Sequence, residues 1–128
     1  MSKILLVDDE ERMLQLLKLY LHPHGFHCYS VNSGTKAIQY LKKHAVEPVL
    51  MDVMMPEKNG WETVKEIRTF SNVPIVMLTA RDQFPDIISS VENGANGHLT
   101  KPINEEQLLF HIENLIEDGH NICQMNYI

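Results

Sequence analysis

The chain has 128 residues, 44% of them apolar and 22% charged, with a formal net charge of −6. That length suits one domain around a single core, and the acidic balance speaks against direct binding to a nucleic-acid backbone, which rewards clustered Lys and Arg. No apolar run approaches the roughly 20 residues that cross a bilayer, and Lys3 leads into a short apolar run rather than a secretory leader, so a cytoplasmic protein without membrane contact is expected.

The first run, Ile4-Leu5-Leu6-Val7, is short, continuous and rich in branched residues, as in a strand covered on both faces. Glu11 to Leu21 then sets Met13, Leu14, Leu16, Leu17, Tyr20 and Leu21 on a helical stripe that Pro23 and Gly25 end. Residues 27–31 read as a more polar strand, suited to a sheet edge. Ser33-Gly34 opens a helix to Lys43 with Ala37, Ile38 and Leu41 inward; its Lys36, Lys42 and Lys43 read as a solvated face.

Three further strand–helix pairs follow. Pro48 to Met51 is a strand, and Trp61 to Phe70 a helix with Val64 and Ile67 inward. Pro74 to Leu78 is a strand before a helix somewhere in 83–93, and His98 to Thr100 a strand before a helix from Asn104 to about Glu117. Asn104 followed by Glu105 and Glu106 has the form of an N-cap with acids in the first turn. Five strands alternating with five helices predict one parallel sheet wrapped on both faces. Residues 1–118 form the expected domain, and the polar stretch 119–128 reads as an unstructured tail or the start of an interdomain linker.

Polar groups stand where these strands end: Asp8-Asp9, Asp52, Thr79 and Lys101-Pro102. In an open parallel sheet, ligands bind outside the carboxyl ends of the strands. Clustered carboxylates are costly unless a cation neutralises them, and hard oxygen ligands favour Mg2+, which uses one or two carboxylates and keeps several waters. A carboxylate beside the metal can attack phosphorus and become an aspartyl phosphate, with Lys101 and Thr79 supplying a positive charge and a hydroxyl to the phosphoryl oxygens. The Met54-Met55-Pro56 to Asn59-Gly60 stretch reads as a loop turning back to the site, where the Met54 carbonyl could face the metal. A cis Lys101–Pro102 bond would aim the lysine inward, but nothing in the sequence favours it over trans.

Taken together, Val7-Asp8-Asp9-Glu10, Met51 to Pro56 with Asn59-Gly60, Met77-Leu78-Thr79-Ala80, Gly94-Ala95 and Thr100-Lys101-Pro102 closely resemble the receiver domain of bacterial two-component response regulators. The resemblance covers residues 3 to about 117. It implies the flavodoxin-like receiver fold with strand order 2-1-3-4-5, and a phosphorylation-activated switch in which Asp52 accepts a phosphoryl group from a sensor histidine kinase. It also implies Mg2+ held by Asp8 (partly through water), Asp9, Asp52 and the Met54 carbonyl, with Lys101 paired to Asp52 and Thr79 moving to the phosphoryl group. His98 stands where the family usually carries a switch Tyr or Phe. Such a domain is not an enzyme beyond its own phosphoryl acceptance and hydrolysis.

Met54 and Arg81 resemble the subfamily coupled to winged-helix DNA-binding effectors, which implies an effector domain or protein as partner and control of transcription. A homodimer through the fourth helix, fifth strand and fifth helix would be the usual arrangement, yet Asn96-Gly97 and His111 replace the acids and the arginine of that face. Two other readings compete with the transcriptional one. A stand-alone receiver would act by protein contact. A Mg2+-dependent phosphohydrolase would need a second acid two residues past Asp52, where this chain has Met54. Trp61 reads as a half-exposed helix residue, His22, His24 and His27 as unlikely to converge on a metal across Pro23, and Cys28 and Cys123 as unpaired thiols of a reducing compartment.

Overall fold

The structure is a computed structural model that describes residues 3–46, 48–80 and 94–125, with side chains through residue 116. The helix expected within 83–93 and Arg81 lie outside the described residues. Five strands form one parallel sheet: β1 (Lys3–Val7), β2 (His27–Val31), β3 (Val49–Asp52), β4 (Ile75–Thr79) and β5 (Gly97–Thr100), in the order β2-β1-β3-β4-β5. The helices described are α1 (Glu11–Leu21), α2 (Gly34–Lys43), α3 (Gly60–Ile67) and the C-terminal helix (Glu105–Met125).

Side-chain alternation along each strand divides the core in two. Leu5, Val7, Val49, Met51, Ile75 and Met77 point to one face, where Ala37 and Ile38 of α2 and Val64 and Ile67 of α3 cover them. Ile4, Leu6, Leu50, Val76, Leu78 and Leu99 point to the other, beneath Leu14, Leu17 and Leu21 of α1 and Leu108 and Ile112 of the C-terminal helix. The central strands β1, β3 and β4 are buried over nearly their whole length, so their sequences are continuous apolar runs. At the edge, β2 is half exposed, as its polar composition predicts.

Helix ends follow local chemistry. Ser33 caps α2 by accepting the Lys36 N–H at 3.1 Å, and Asn104 starts the C-terminal helix by accepting the Gln107 N–H at 3.0 Å. Past α1 a short 3₁₀ turn, His22–His24, ends at Gly25, whose φ of +87° suits a residue without Cβ. At the end of α3 the Thr69 hydroxyl donates to the Glu66 carbonyl at 2.6 Å and the Phe70 N–H to the Ile67 carbonyl at 3.0 Å. This tightening ends the helix at Ile67, three residues before the expected Phe70. The opposite correction applies at the C-terminus, where helical backbone continues past Glu117 to Met125, through much of the stretch expected to be unstructured.

Candidate functional site

The sheet reverses its winding direction between β1 and β3, and a crevice opens there at the carboxyl ends of the strands. Asp8 follows β1 directly and Asp52 is the last residue of β3; both are buried, while the neighbouring Asp9 is exposed. Carboxylate oxygens of Asp8, Asp9 and Asp52 all lie within 4.8 Å of one another. Sequence order would scatter them; pairing of β1 with β3 brings them together.

Two backbone features hold this geometry. The Glu10 N–H donates to Asp8 Oδ1 at 2.9 Å, fixing the carboxylate at the N-terminal approach to α1. Behind Asp52, the Gly60 N–H donates to the Val53 carbonyl at 2.9 Å and closes the loop that carries Met54. A Cβ at Gly60 would stand 2.5 Å from the Asp52 carbonyl oxygen, so only glycine lets α3 begin this close beneath the site. A capping box between Asn59 and Glu62 secures the start of α3, with Asn59 Oδ1 accepting the Glu62 N–H at 2.9 Å and Glu62 Oε1 accepting the Asn59 N–H at 3.2 Å.

The opposite wall comes from β4 and β5. Lys101 Nζ donates to Asp52 Oδ1 at 2.9 Å, and the Lys101 N–H donates to the Thr79 carbonyl at 2.7 Å. The Lys101–Pro102 peptide is cis. Thr79 is fully buried at the end of β4, its hydroxyl 3.5 Å from the Leu99 carbonyl, a long contact that holds it weakly. The Met54 N–H also donates to the Asp52 carboxylate, and the Met54 side chain is 63% exposed at the mouth of the crevice.

Electrostatics follow from this burial. Desolvation pushes the Asp8 carboxyl up to about 6 against the Glu10 hydrogen bond, with the charge on Asp52 adding to the rise. Desolvation likewise raises Asp52, only partly opposed by its hydrogen bond to Lys101. For Lys101, burial favours the neutral amine, but the Asp52 bond and the charges of Asp52, Asp8 and Glu10 prevail and hold the ammonium above its ordinary value. Asp8 Oδ2 is buried without a hydrogen-bond partner among the described residues. An orphaned carboxylate oxygen amid hard oxygen donors fits a divalent cation of the Mg2+ type.

His98 lies apart from this cluster. It is half-buried and, with Phe110 and His111, lines a cleft of about 620 Å3 between β5 and the C-terminal helix. Just before β5, Asn96 is occupied: its Oδ1 accepts from Arg68 Nη2 at 2.9 Å and from the Ile75 N–H at 2.8 Å, while Arg68 Nε donates to the Gly94 carbonyl at 2.9 Å. No pattern in the sequence signals this clamp from the end of α3. Trp61 is half-exposed as expected, with its indole N–H buried and unpartnered among the described residues. His22, His24 and His27 are exposed and do not form a ligand group among the described residues. Cys28 is free and half-buried, and desolvation pushes its thiol up to about 11, which makes it unreactive.

A doubly wound parallel sheet with its polar residues gathered at the switch point defines a flavodoxin-like domain whose chemistry sits on the carboxyl rim. The chain belongs to the response regulator receiver domain family, whose model matches residues 4–113. It is thus a receiver domain of a two-component system. Among curated proteins it is 45% identical over 116 residues to the "Transcriptional regulatory protein CpxR homolog" of Haemophilus influenzae, covering 91% of this chain and 51% of that protein. It is 38% identical over 120 residues to the transcriptional regulatory protein CpxR of Escherichia coli K12, covering 94% and 51%. The chain therefore spans about half the length of these relatives. A response regulator receiver domain protein from Clostridium thermocellum superposes with a TM-score of 0.89 at 26% identity, over 95% of this chain and 99% of that one. No helix among the described residues is long and apolar enough to cross a membrane.

Proposed function

We propose that this domain is a phosphorylation-activated switch in which Asp52 accepts a phosphoryl group from a sensor histidine kinase. The observation that carries this reading is the Lys101–Asp52 ion pair at 2.9 Å inside a three-carboxylate cluster. An Asp52 carboxylate oxygen attacks phosphorus, the bond from phosphorus to the donor imidazole nitrogen breaks, and the electron pair stays on that nitrogen. Lys101 balances charge on the phosphoryl oxygens, and Thr79 turns its weakly held hydroxyl from Leu99 toward them. Asp8, Asp9, Asp52 and the Met54 carbonyl would hold Mg2+, which supplies Lewis-acid neutralisation of the transferring group. We further propose His98 as the residue that answers the movement of Thr79.

The curated relatives carry the description of transcriptional regulatory proteins, and this chain matches half of their length. On that ground the phosphorylated domain regulates transcription through a winged-helix DNA-binding effector outside the chain. The phosphohydrolase reading loses ground at Met54, an exposed thioether that cannot serve as the second acid. Incubation with acetyl phosphate and Mg2+ followed by intact-mass measurement tests the proposal. One phosphoryl group is gained by the native chain and none by Asp52→Ala; equal gain by both would overturn the assignment.

A further inference from the structure

The chain is acidic overall, yet α2 carries Lys36, Lys42 and Lys43 and no acid, so it stands at +3 while the remainder stands at −9 (−6 − 3). Lys42 is occupied, lying 5.4 Å from the centre of the Phe70 ring and near Glu66. Lys36 and Lys43 are exposed and make no ion pair among the described residues. Between them a groove of about 330 Å3 is floored by Tyr29, Tyr40 and His44. Those three rings form one continuous stack, with centroids 4.3 Å and 4.4 Å apart, that ties the edge strand to the end of α2.

The stack leaves Tyr29 48% exposed on β2, which among the described residues pairs with β1 alone, so its outer edge presents backbone groups with no ladder partner among them. Lys36 and Lys43 are seven residues apart on α2, which puts them about 10 Å apart along the helix axis. Carboxylates on one face of an extended strand recur about every 7 Å, and flexible lysine stems span the small mismatch. Aromatic rings at the groove floor add flat apolar area for the strand's other side chains.

We propose that the free edge of β2 and the basic face of α2 form a docking surface for an extended, acidic segment of a partner protein. The segment adds to β2 as a further strand and places alternate carboxylates over Lys36 and Lys43. Affinity comes from the edge hydrogen bonds, and selection for acidic partners from the two lysines. The groove shares no residue with the carboxylate cluster, and its occupancy does not depend on Asp52.

The test is titration of the 15N-labelled chain with a synthetic eight-residue peptide alternating Glu and Thr, without Mg2+ or phosphodonor. Amide shifts confined to residues 27–31 and 34–44, saturating with peptide, are expected. The doubly charge-reversed K36E/K43E chain, its fold checked by circular dichroism, binds at least tenfold more weakly, and a Lys–Thr peptide does not bind. Unchanged spectra at millimolar peptide, or equal binding by the charge-reversed chain, would overturn the proposal. So would a short single-stranded oligonucleotide that produces the same shifts with the same affinity, since the surface would then be a general polyanion site.

Discussion

The centre of the sheet and its β2 edge solve opposite problems. Past the exposed Lys3 that opens β1, the strands β1, β3 and β4 are sealed on both faces, and their polar residues stand at the carboxyl ends, where Asp8, Asp52 and Thr79 are themselves buried. β2 is half open, the chemistry beside it consists of the exposed Tyr29 ring and the lysines of α2, and no buried polar side chain is left unpartnered there among the described residues. Burial in the centre is what raises the Asp8 and Asp52 carboxyls, whereas the edge can change its surface without disturbing them.

The largest stability effect should follow from opening the centre. Leu50→Ala, at a fully buried position, should cost about 2–5 kcal/mol in urea unfolding, while Tyr29→Ala at the edge should cost under about 1.5 kcal/mol. Comparable losses would erase the distinction between the two regions.

Next comes the glycine beneath the site. Gly60→Ala drives a methyl into the Asp52 carbonyl and the Met77 side chain, and should cost about 1–3 kcal/mol together with a loss of Mg2+ affinity measured by calorimetry. A variant as stable as the native chain would show that the loop can retreat at no expense.

Asp8 gives a sharper probe, because its carboxyl titrates near 6 instead of near 3.8. Between those values the folded, cation-free chain holds a proton that the unfolded chain has released. The contribution of this group to stability therefore falls as pH rises from about 4 to about 6. Mg2+ needs the ionised form, so its affinity should weaken as pH is lowered through about 6. Asp8→Asn should make the slope shallower by the share of this group, since burial raises Asp52 as well, and should raise cation-free stability at neutral pH while lowering Mg2+ affinity at least tenfold. A stability profile that rises over the same window would contradict the burial argument.

The smallest effect belongs to the surface. The Lys58–Glu66 pair is partly exposed on both sides, so Lys58→Ala should move stability by no more than about 0.5 kcal/mol in thermal unfolding. A larger change would mean that the loop before α3 depends on this pair.

Much of this architecture is legible in the chain. Continuous apolar runs mark the central strands, the polar run 27–31 marks the edge, and polar residues at the strand ends mark the site. Boundaries slip where a polar residue is itself buried: Asp52 and Thr79 read as residues following their strands, yet they close the ladders of β3 and β4. α3 is overestimated because Val64 and Ile67 continue a helical stripe that hydrogen bonds from Thr69 and Phe70 then cut short. Three features have no sequence signature, because they depend on distance across the fold. They are Asp8 Oδ2, without a partner among the described residues, the contact space at Gly60 and the grip of Arg68 on Asn96 and Gly94.

If Asp52 is the phosphoryl acceptor, it alone in the cluster becomes an acyl phosphate. After treatment with acetyl phosphate and Mg2+, borohydride reduction and peptide sequencing by mass spectrometry should find homoserine at position 52 alone. Homoserine at Asp8 or Asp9, or at no position despite a gain of phosphoryl mass, would contradict the account.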